Sequence, residues 1–331
     1  MYWISSGAKL YGYDSVADEW MVVREKEGSL LLRGVEKICF IRGGGSWFLS
    51  SFDGSLGYCR DDSCRQLDDV ISLRPGGIPR DMFSTRSGAL WVVLPEGLAE
   101  YDGVEWSSSL ASPYGYKRLY RATAGEPPAT ADPESIQRLR GVLDLAKRAS
   151  PNGMTRAKPV NDIVGFSAGV EGEDGHLWLG TERGLFRFAP PSEWQFYGRS
   201  ENLREIEVVY EDRHGRLWVA DDFGHVAVFD VARATWTDIN LVHQVPVVPF
   251  DLDDPSFSIN GIYEDMTGQI FFATQDGLAV FVQRTGEWKL FTPENSDLPD
   301  LDVTGILEDS AGRIWISTGE GIVVLDREVG G

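Results

Sequence analysis

The sequence predicts an all-β fold, a seven-bladed β-propeller of four-stranded antiparallel blades with one helical insertion. Three observations predict it: a Trp-centred segment recurs along the chain, each copy carries two turn signals, and the commonest spacing between copies is 44 residues. That spacing lies in the range of propeller blades. We therefore expect one repeat domain that spans residues 1–331.

One aromatic residue anchors each copy of the repeat. The clearest copy is EDSAGRIWISTGEGIVVLD, from Glu308 to Asp326, and other good copies begin at Glu171, Glu211 and Glu264. Successive anchors are separated by 44, 44, 87, 40, 53 and 44 residues, and they are Trp3, Trp47, Trp91, Trp178, Trp218, Phe271 and Trp315. Because a blade cannot bury both faces alone, we expect these anchors to form the structural core between stacked blades.

Each copy also contains the signals for four short strands. An Asp-x-x-Gly turn such as Asp212 to Gly215 suits a hairpin, because Asp accepts bonds from nearby backbone N–H groups and Gly adopts the left-handed conformation. Behind the anchor come a second turn with Gly, an apolar third strand, and an outer strand with a second Trp. An apolar segment before the Asp-x-x-Gly turn supplies the inner strand. Seven second and third strands are visible, with six inner and six outer ones.

The pattern E-D-x-x-G-x-[LI]-W-[IVL]-x-T-x-x-G-[LI] resembles the two-component-regulator propeller repeat. Glu308 to Asp326 matches nearly throughout, whereas the copies that begin at Arg42 and Tyr2 depart from the pattern. The resemblance implies the sensory part of a bacterial signalling protein, fused to or paired with a signalling module. We expect a non-enzymatic domain that binds a small ligand or a protein partner.

Composition limits the function classes. The net charge of −20 gives a surface that repels phosphate backbones and anionic lipids, so we expect no nucleic-acid or membrane-surface binding. No apolar run approaches the roughly 20 residues of a membrane-spanning helix. The stretch MYWISSGAKLYGYD lacks the features of a signal peptide. We predict a cytoplasmic protein, with an extracytoplasmic domain as the alternative if the chain is a fragment of a larger sensor.

The three cysteines are Cys39, Cys59 and Cys64, which are too few for a disulfide framework and suit a reducing compartment. We interpret CRDDSC as two ordinary thiols at a hairpin end; the alternative is a local disulfide in an exported protein. A zinc site would need more ligands than this pair, and no histidine is close in sequence. The sequence thus predicts no metal and no cofactor.

Two insertions interrupt the repeat. The first, at about residues 107–160, contains a predicted helix with Asp132 as N-cap, Pro133 at its first position and Ile136, Leu139 and Leu143 on one apolar face. The second, at about residues 237–257, is a Pro-rich loop. Both connect the outer strand of one blade to the inner strand of the next, so strand alternation sends them to the same face as the second turns. Long loops on a rigid scaffold commonly carry binding functions.

The second turns supply a candidate binding rim on that face. Seven of its eight residues are acidic, and the set is Asp53, Glu96, Glu182, Arg183, Asp221, Asp222, Asp276 and Glu320. An acidic rim would attract a cationic ligand or partner. The alternative is that these are ordinary solvated hairpin turns.

The sequence contains no recognisable catalytic constellation: it lacks a nucleophile motif, a histidine pair at metal spacing and a Gly-rich phosphate loop before a helix. Streptogramin-lyase-like propellers have similar G-x-[IL]-W blades and supply the enzymatic alternative, with a metal at the channel mouth. His225 with Asp221 and Asp222 is the only set that we consider for such a site. We predict a binding module and no catalytic residues.

Overall fold

In the computed structural model, the structure describes residues 2–6, 9–14, 19–22, 35–40, 46–50, 56–60, 63–66, 79–95, 97–102, 106–109, 120–122, 165–189, 193–221, 223–239, 258–308 and 312–325. These residues form strands and turns, with no helix among them, and their strands form seven antiparallel sheets. The prediction of an all-β fold built from four-stranded antiparallel sheets is confirmed.

The chain divides into two compact units. The first consists of Met1–Arg24, Gly34–Glu36 and Ser200–Gly331, and the second of Glu25–Arg33 and Lys37–Arg199. We number the sheets in chain order. The first unit contains sheets 1, 5, 6 and 7, and the second contains sheets 3 and 4 with most of sheet 2.

Sheet 1 and sheet 7 have three described strands each, and sheets 5 and 6 have four. Sheet 1 consists of β1 (Tyr2–Ser6), β2 (Lys9–Asp14) and β3 (Glu19–Val22), and sheet 5 of β17 (Val208–Glu211), β18 (Arg216–Ala220), β19 (Val226–Asp230) and β20 (Thr235–Ile239). Sheet 6 consists of β21 (Ile259–Glu264), β22 (Gln269–Thr274), β23 (Gly277–Val282) and β24 (Glu287–Phe291). Sheet 7 consists of β25 (Val303–Glu308), β26 (Ile314–Thr318) and β27 (Ile322–Leu325). Each sheet is a meander in which sequential strands pair.

The second unit has the same meander order. Sheet 2 consists of β4 (Val35–Phe40), β5 (Ser46–Ser50), β6 (Leu56–Arg60) and β7 (Ser63–Gln66). Sheet 3 consists of β8 (Asp81–Ser84), β9 (Leu90–Leu94), β10 (Gly97–Tyr101), β11 (Trp106–Ser109) and β12 (Tyr120–Ala122). Sheet 4 consists of β13 (Phe166–Glu171), β14 (Leu177–Thr181), β15 (Gly184–Ala189) and β16 (Glu193–Gly198). In the β6–β7 hairpin Cys59 lies opposite Cys64.

Six of the anchors lie on the second strand of their sheets and are buried. Trp218 of β18 is 1% exposed and packs edge-on against Phe272 of sheet 6 at 5.8 Å between ring centroids. Trp91 of β9 packs in the same way against Phe188 of sheet 4 at 6.0 Å. Buried anchors also include Trp47, Trp178, Phe271 and Trp315. The side chain of Trp3 lies outside the described residues.

The second strands, which are buried on both faces, form these cores. The second strands contribute side chains to both sheet faces, and their burial patterns are almost continuous, as in Leu90–Leu94 and Ile314–Thr318. One cluster joins sheets 5 and 6 around Trp218, Ile270 and Phe272, and another joins sheets 3 and 4 around Trp91 and Leu179. Such sheet-on-sheet stacking buries both faces of each sheet, which a single sheet cannot do alone.

The predicted insertion boundaries need correction. Residues 107–109 belong to β11, and β12 at Tyr120–Ala122 pairs with β11 as a fifth strand of sheet 3. Residues 237–239 belong to β20, so the second insertion cannot begin before residue 240. Sequence reading assigned these residues to the insertions because their polar and mixed composition hides the strand period. The predicted helix, from Asp132 to Asn152, and the Pro-rich loop at 240–257 lie outside the described residues.

Candidate functional site

Each unit has two ends, which are defined by the turns of its sheets. The first turn of a sheet joins its inner strand to its second strand, and the second turn joins its second strand to its third. We call the corresponding ends of each unit the first-turn end and the second-turn end. The predicted rim residues belong to the second turns, so the candidate site is the second-turn end.

Hydrogen bonds bring the incoming connections to the second-turn end within each unit. In the second unit, Arg199, just after β16, donates its backbone N–H to the carbonyl oxygen of Arg183 at 3.2 Å. In the first unit, the backbone N–H of Arg204 donates to Oδ2 of Asp221 at 3.0 Å. These contacts confirm, for the described residues, that outer-to-inner connections lie beside second turns.

Three second turns are closed by the Thr of the T-x-x-G motif. The Thr181 hydroxyl donates to the carbonyl oxygen of Gly184 at 2.8 Å and accepts from the N–H groups of Arg183 and Gly184. Thr274 and Thr318 bond in the same way to the glycines three residues later. Gly277 has φ of +117°, and a Cβ there would lie 2.4 Å from the carbonyl oxygen of Phe291. Glycine is therefore required by both conformation and space.

The second turn of sheet 5 departs from this motif. Asp221 occupies the position of the threonine, and the turn is one residue longer, because Ala220 pairs with Val226 whereas Gly180 pairs with Leu185. The buried Asp221 carboxylate accepts from the backbone N–H groups of Phe223 and His225, each at 2.9 Å. Its Oδ2 also lies 2.8 Å from Nδ1 of His225. Because a carboxylate only accepts, Nδ1 of His225 is the donor.

The same hydrogen-bond pattern occurs in the first turns of sheets 5 and 6. Asp212 accepts from the backbone N–H groups of His214 and Arg216, and Arg216 also donates from its side chain to Oδ2 of Asp212. Gln269 plays the part of Arg216 in the turn that begins at Asp265. His225 is thus the fifth residue of an Asp-x-x-Gly-x turn, and its contact with Asp221 has a structural explanation. This is the chief argument against reading the pair as catalytic.

Arg204 and Phe223 meet above this turn. The guanidinium carbon of Arg204 lies 3.7 Å from the centroid of the Phe223 ring, well within the range of a cation–π contact. Arg204 is exposed and Phe223 is half-buried. Both residues have their backbone N–H groups bound to the Asp221 carboxylate. Sequence reasoning missed this pair, since nothing in the repeat marks a connection residue such as Arg204.

A second feature missed from sequence lies beside the second turn of sheet 7. Asp302 accepts from Nδ2 of Asn260 at 3.4 Å, and its backbone carbonyl accepts from the N–H of Gly319. Asn260 also donates to the carbonyl oxygen of Val303, which ties β21 to β25. Burial raises the pKa of Asp302 and the nearby charge of Asp300 raises it further, against the opposing effect of the Asn260 hydrogen bond.

The predicted rim residues do not behave as one group. Glu182 and Glu320 are exposed, and Arg183 and Asp276 are half-buried; Arg183 pairs with its neighbour Glu182 at 3.5 Å. Asp221 is fully buried and bonded within its own turn, so its carboxylate does not belong to an exposed rim. Asp53, Glu96 and Asp222 lie outside the described residues.

A charge network around the buried Asp81 carboxylate joins three inner strands of the second unit. Asp81 of β8 lies 2.6 Å from the Lys37 ammonium of β4 and accepts from the backbone N–H of Gly169 in β13 at 2.8 Å. Cys39, also on β4, donates to the carbonyl oxygen of Met82 at 3.4 Å. Burial, followed by the charge of Asp81, raises the pKa of the Cys39 thiol to about 12. The thiol is therefore an inert core group.

Two searches of the described residues gave negative results. No group of three or more histidine, cysteine, aspartate or glutamate side chains in the described ranges is arranged to hold a metal ion. Within those same ranges, no helix has the length and apolar character needed to cross a membrane.

Comparisons with known proteins agree with this architecture. The extracellular domain of a putative one component system from B. thetaiotaomicron is similar, with 17% identity, a TM-score of 0.61, and coverage of 97% of this chain and 36% of that chain. A streptogramin B lyase is similar at 12% identity and a TM-score of 0.59, covering 98% and 89%. YCF48 from Cyanidioschyzon merolae is similar at 11% identity and a TM-score of 0.60, covering 97% and 89%. The fold is that of the β-propeller class.

A family model gives the narrower identification. The model described as two component regulator propeller matches residues 297–320, which include the inner strand, anchor and second turn of sheet 7. This segment of the chain therefore matches the two-component-regulator propeller repeat that the sequence pattern resembles. A search of curated proteins found no significant match. The chain spans about a third of the length of the B. thetaiotaomicron extracellular domain, 36% of it.

Proposed function

We propose that residues 1–331 form one seven-bladed propeller that acts as a non-enzymatic binding domain of the sensory kind. Binding would occur at the second-turn end, where the two insertions enter. The observation that carries this proposal is the second turn of sheet 5. It departs from the Thr-closed second turns of sheets 4, 6 and 7 and displays Arg204 and Phe223. Function on a repeat scaffold is expected where loops vary.

Two similar structures support a binding role. One is an extracellular domain of a protein described as a putative hybrid two component system, which motivates a sensory role here. Another is YCF48 bound to D1 peptide, similar to this chain at 15% identity and a TM-score of 0.54, which shows a similar fold in complex with a peptide. These comparisons motivate a small ligand or a peptide-bearing partner. A signalling module fused to or paired with this chain remains part of the proposal.

The test removes one insertion and keeps the sheets. Residues 125–158 are replaced by a short Gly/Ser linker, which spares β12 and every other described strand. Ligands are first identified by a thermal-shift screen of sugars, amino acids and peptides against the parent chain. We expect the variant to unfold cooperatively and to lose most of its affinity for any ligand found. A variant that folds and binds like the parent would move the site away from this insertion.

A streptogramin-lyase-like enzyme is the second candidate. The observation that favours it is the contact of 2.8 Å between Nδ1 of His225 and Oδ2 of Asp221 at the second-turn end. A virginiamycin B lyase from Staphylococcus aureus, solved as a catalytically inactive variant with quinupristin, has a similar fold at 11% identity and a TM-score of 0.57. The turns at Asp212 and Asp265 have the same hydrogen-bond pattern, which explains the contact without a catalytic role. We therefore rank this candidate second.

A further inference from the structure

Within the first unit, sheet 5 is the place where the second turn breaks the repeat. Sheets 6 and 7 keep the Thr-closed turn, and only the turn of sheet 5, among these described turns, holds a buried carboxylate at that position. The replacement does not weaken the turn, because Asp221 still satisfies the N–H groups of Phe223 and His225. In addition, Asp221 accepts a hydrogen bond from the backbone N–H of Arg204, which lies on the incoming connection.

The bond to Asp221 holds the backbone from which the Arg204 side chain projects. The backbone N–H groups of Arg204 and Phe223 bind opposite oxygens of one buried carboxylate, at 3.0 and 2.9 Å. The two side chains are in contact, and the guanidinium carbon of Arg204 lies 3.7 Å from the centroid of the Phe223 ring. A guanidinium in a cation–π contact can still donate from its N–H groups to a planar partner. Less side-chain entropy is then lost when a ligand binds.

Within the described part of the chain, the Arg204 guanidinium has an aromatic partner but makes no ion pair with a carboxylate. Other arginines of the first unit do: Arg216 pairs with Asp212, and Arg233 pairs with Asp230. We propose that the Arg204–Phe223 pair is a binding site for the carboxylate group of a small ligand. This inference rests on the proposed function, because it names the chemistry recognised at the second-turn end.

The charge of the chain favours a carboxylate over a phosphate. Two parallel N–H···O bonds from a guanidinium match the planar carboxylate, and such charge-assisted bonds are about twice as strong as neutral ones. A phosphate would bring close to two negative charges toward a chain whose net charge is −20. A singly charged carboxylate meets less of that repulsion while it keeps the bidentate geometry.

The test uses two acids, each with a neutral counterpart of nearly the same shape. D-Glucuronate is compared with D-glucuronamide, and N-acetyl-L-glutamate with N-acetyl-L-glutamine. Binding is followed by the ¹⁵Nε signals of arginine in the labelled full chain. We expect one acid to shift the Arg204 signal saturably, and its amide to bind about tenfold more weakly. Whether D-glucuronate or N-acetyl-L-glutamate binds then shows whether the site recognises a sugar acid or an amino-acid carboxylate.

Two variants complete the experiment. Arg204→Gln should weaken binding of the acid about tenfold or more, while thermal unfolding shows that it folds like the parent. Arg233→Gln removes the same charge from an exposed ion pair at the β19–β20 turn and should leave the affinity unchanged. The inference is overturned if neither acid binds, if acid and amide bind equally, or if both variants lose affinity equally. None of these results affects ligands found in the broader screen, which test the proposed function separately.

Discussion

The side-chain carboxylate of Glu264 in β21 accepts a hydrogen bond from the backbone N–H of Arg213 at 2.7 Å, so the first turn of sheet 5 is tied to the inner strand of sheet 6. The relationship recurs along the chain. Glu171 accepts from the N–H of Arg86 at 2.6 Å, and Glu308 accepts from the N–H of Met266 at 3.1 Å. The glutamate that ends each of these inner strands is thus a tie between sheets, and Asp212 and Asp265 close the turns that follow Glu211 and Glu264.

Replacing Glu264 tests this tie. Glu264 is buried, and its other oxygen accepts from Nε2 of Gln283, so Glu264→Ala leaves two donors without their acceptor. We expect Glu264→Ala to lower the free energy of unfolding by about 1–3 kcal/mol and Glu264→Gln by less, because an amide oxygen can still accept from Arg213. Chemical denaturation gives both values. The exposed Glu287 is the control, and Glu287→Ala should change stability by less than about 0.5 kcal/mol.

The core prediction concerns Trp218. Trp218→Ala should lower the free energy of unfolding by about 3–5 kcal/mol, because it empties the space between sheets 5 and 6. It also removes the bond from Nε1 to Asp212, which is 2.9 Å long. Trp236 on the outer strand β20 is only half-buried and is the matched control, with a smaller loss expected for Trp236→Ala. Equal losses in the two variants would contradict the stacking of sheets through the second strands.

The pH dependence of stability should report on Asp212. Burial by itself would raise the pKa of Asp212, but hydrogen bonds from Arg216 and Trp218 outweigh it and lower the pKa below its usual value. A carboxyl group with a lowered folded-state pKa contributes stability above its unfolded pKa of about 3.9, and this contribution disappears as the pH falls through the folded pKa. In Asp212→Asn that contribution is absent at every pH. The stability gap between parent and variant should therefore shrink as the pH is lowered from about 5 toward the folded pKa.

The dependence of stability on ionic strength should distinguish the buried Asp212 carboxylate from the exposed Asp230–Arg233 ion pair. Asp230, paired with Arg233 at the surface, also has a lowered pKa, caused first by the side-chain hydrogen bond from Arg233. Because exposed pairs are screened, the difference between the parent and Asp230→Asn should fade at high ionic strength. The difference for the buried Asp212 should persist. Fading of both differences to the same extent would contradict a buried role for Asp212.

The Asp221–His225 contact separates a structural turn from a lyase-like site. His225→Gln should change stability by less than about 0.5 kcal/mol, since glutamine is the native fifth residue of the turn at Asp265. Asp221→Ala should cost about 1–3 kcal/mol, because three backbone N–H groups lose their acceptor. For the chemistry, the parent chain is incubated with quinupristin with and without a chelator. We expect no turnover, and a turnover that His225→Gln or the chelator abolishes would favour the lyase-like alternative.

Much of the fold was predictable because residues that are close in sequence specify the turns and strands of each repeat. Asp212 and Gly215 specify a turn from four residues alone, and Gly215 has the expected left-handed φ of +71°. The apolar second strand and its Trp follow within a few residues, so their burial needs only a neighbouring copy to stack against. The short strand β12 was not predictable, because Tyr120–Ala122 has no repeat partner and pairs with β11 across a long connection.

The sequence by itself determined the strand order, the turns and the aromatic core, since each is set by residues close along the chain and repeated often enough to be recognised. Only the tertiary structure decided which polar groups are available for binding. Asp221 and Asp276 both belong to second turns and carry the same charge, yet Asp221 occupies the threonine position and is buried, whereas Asp276 is half exposed. The backbone N–H group of Arg204 that binds Asp221 comes from a connection 17 residues away. Such a contact depends on how the chain packs in space, and no local pattern encodes it.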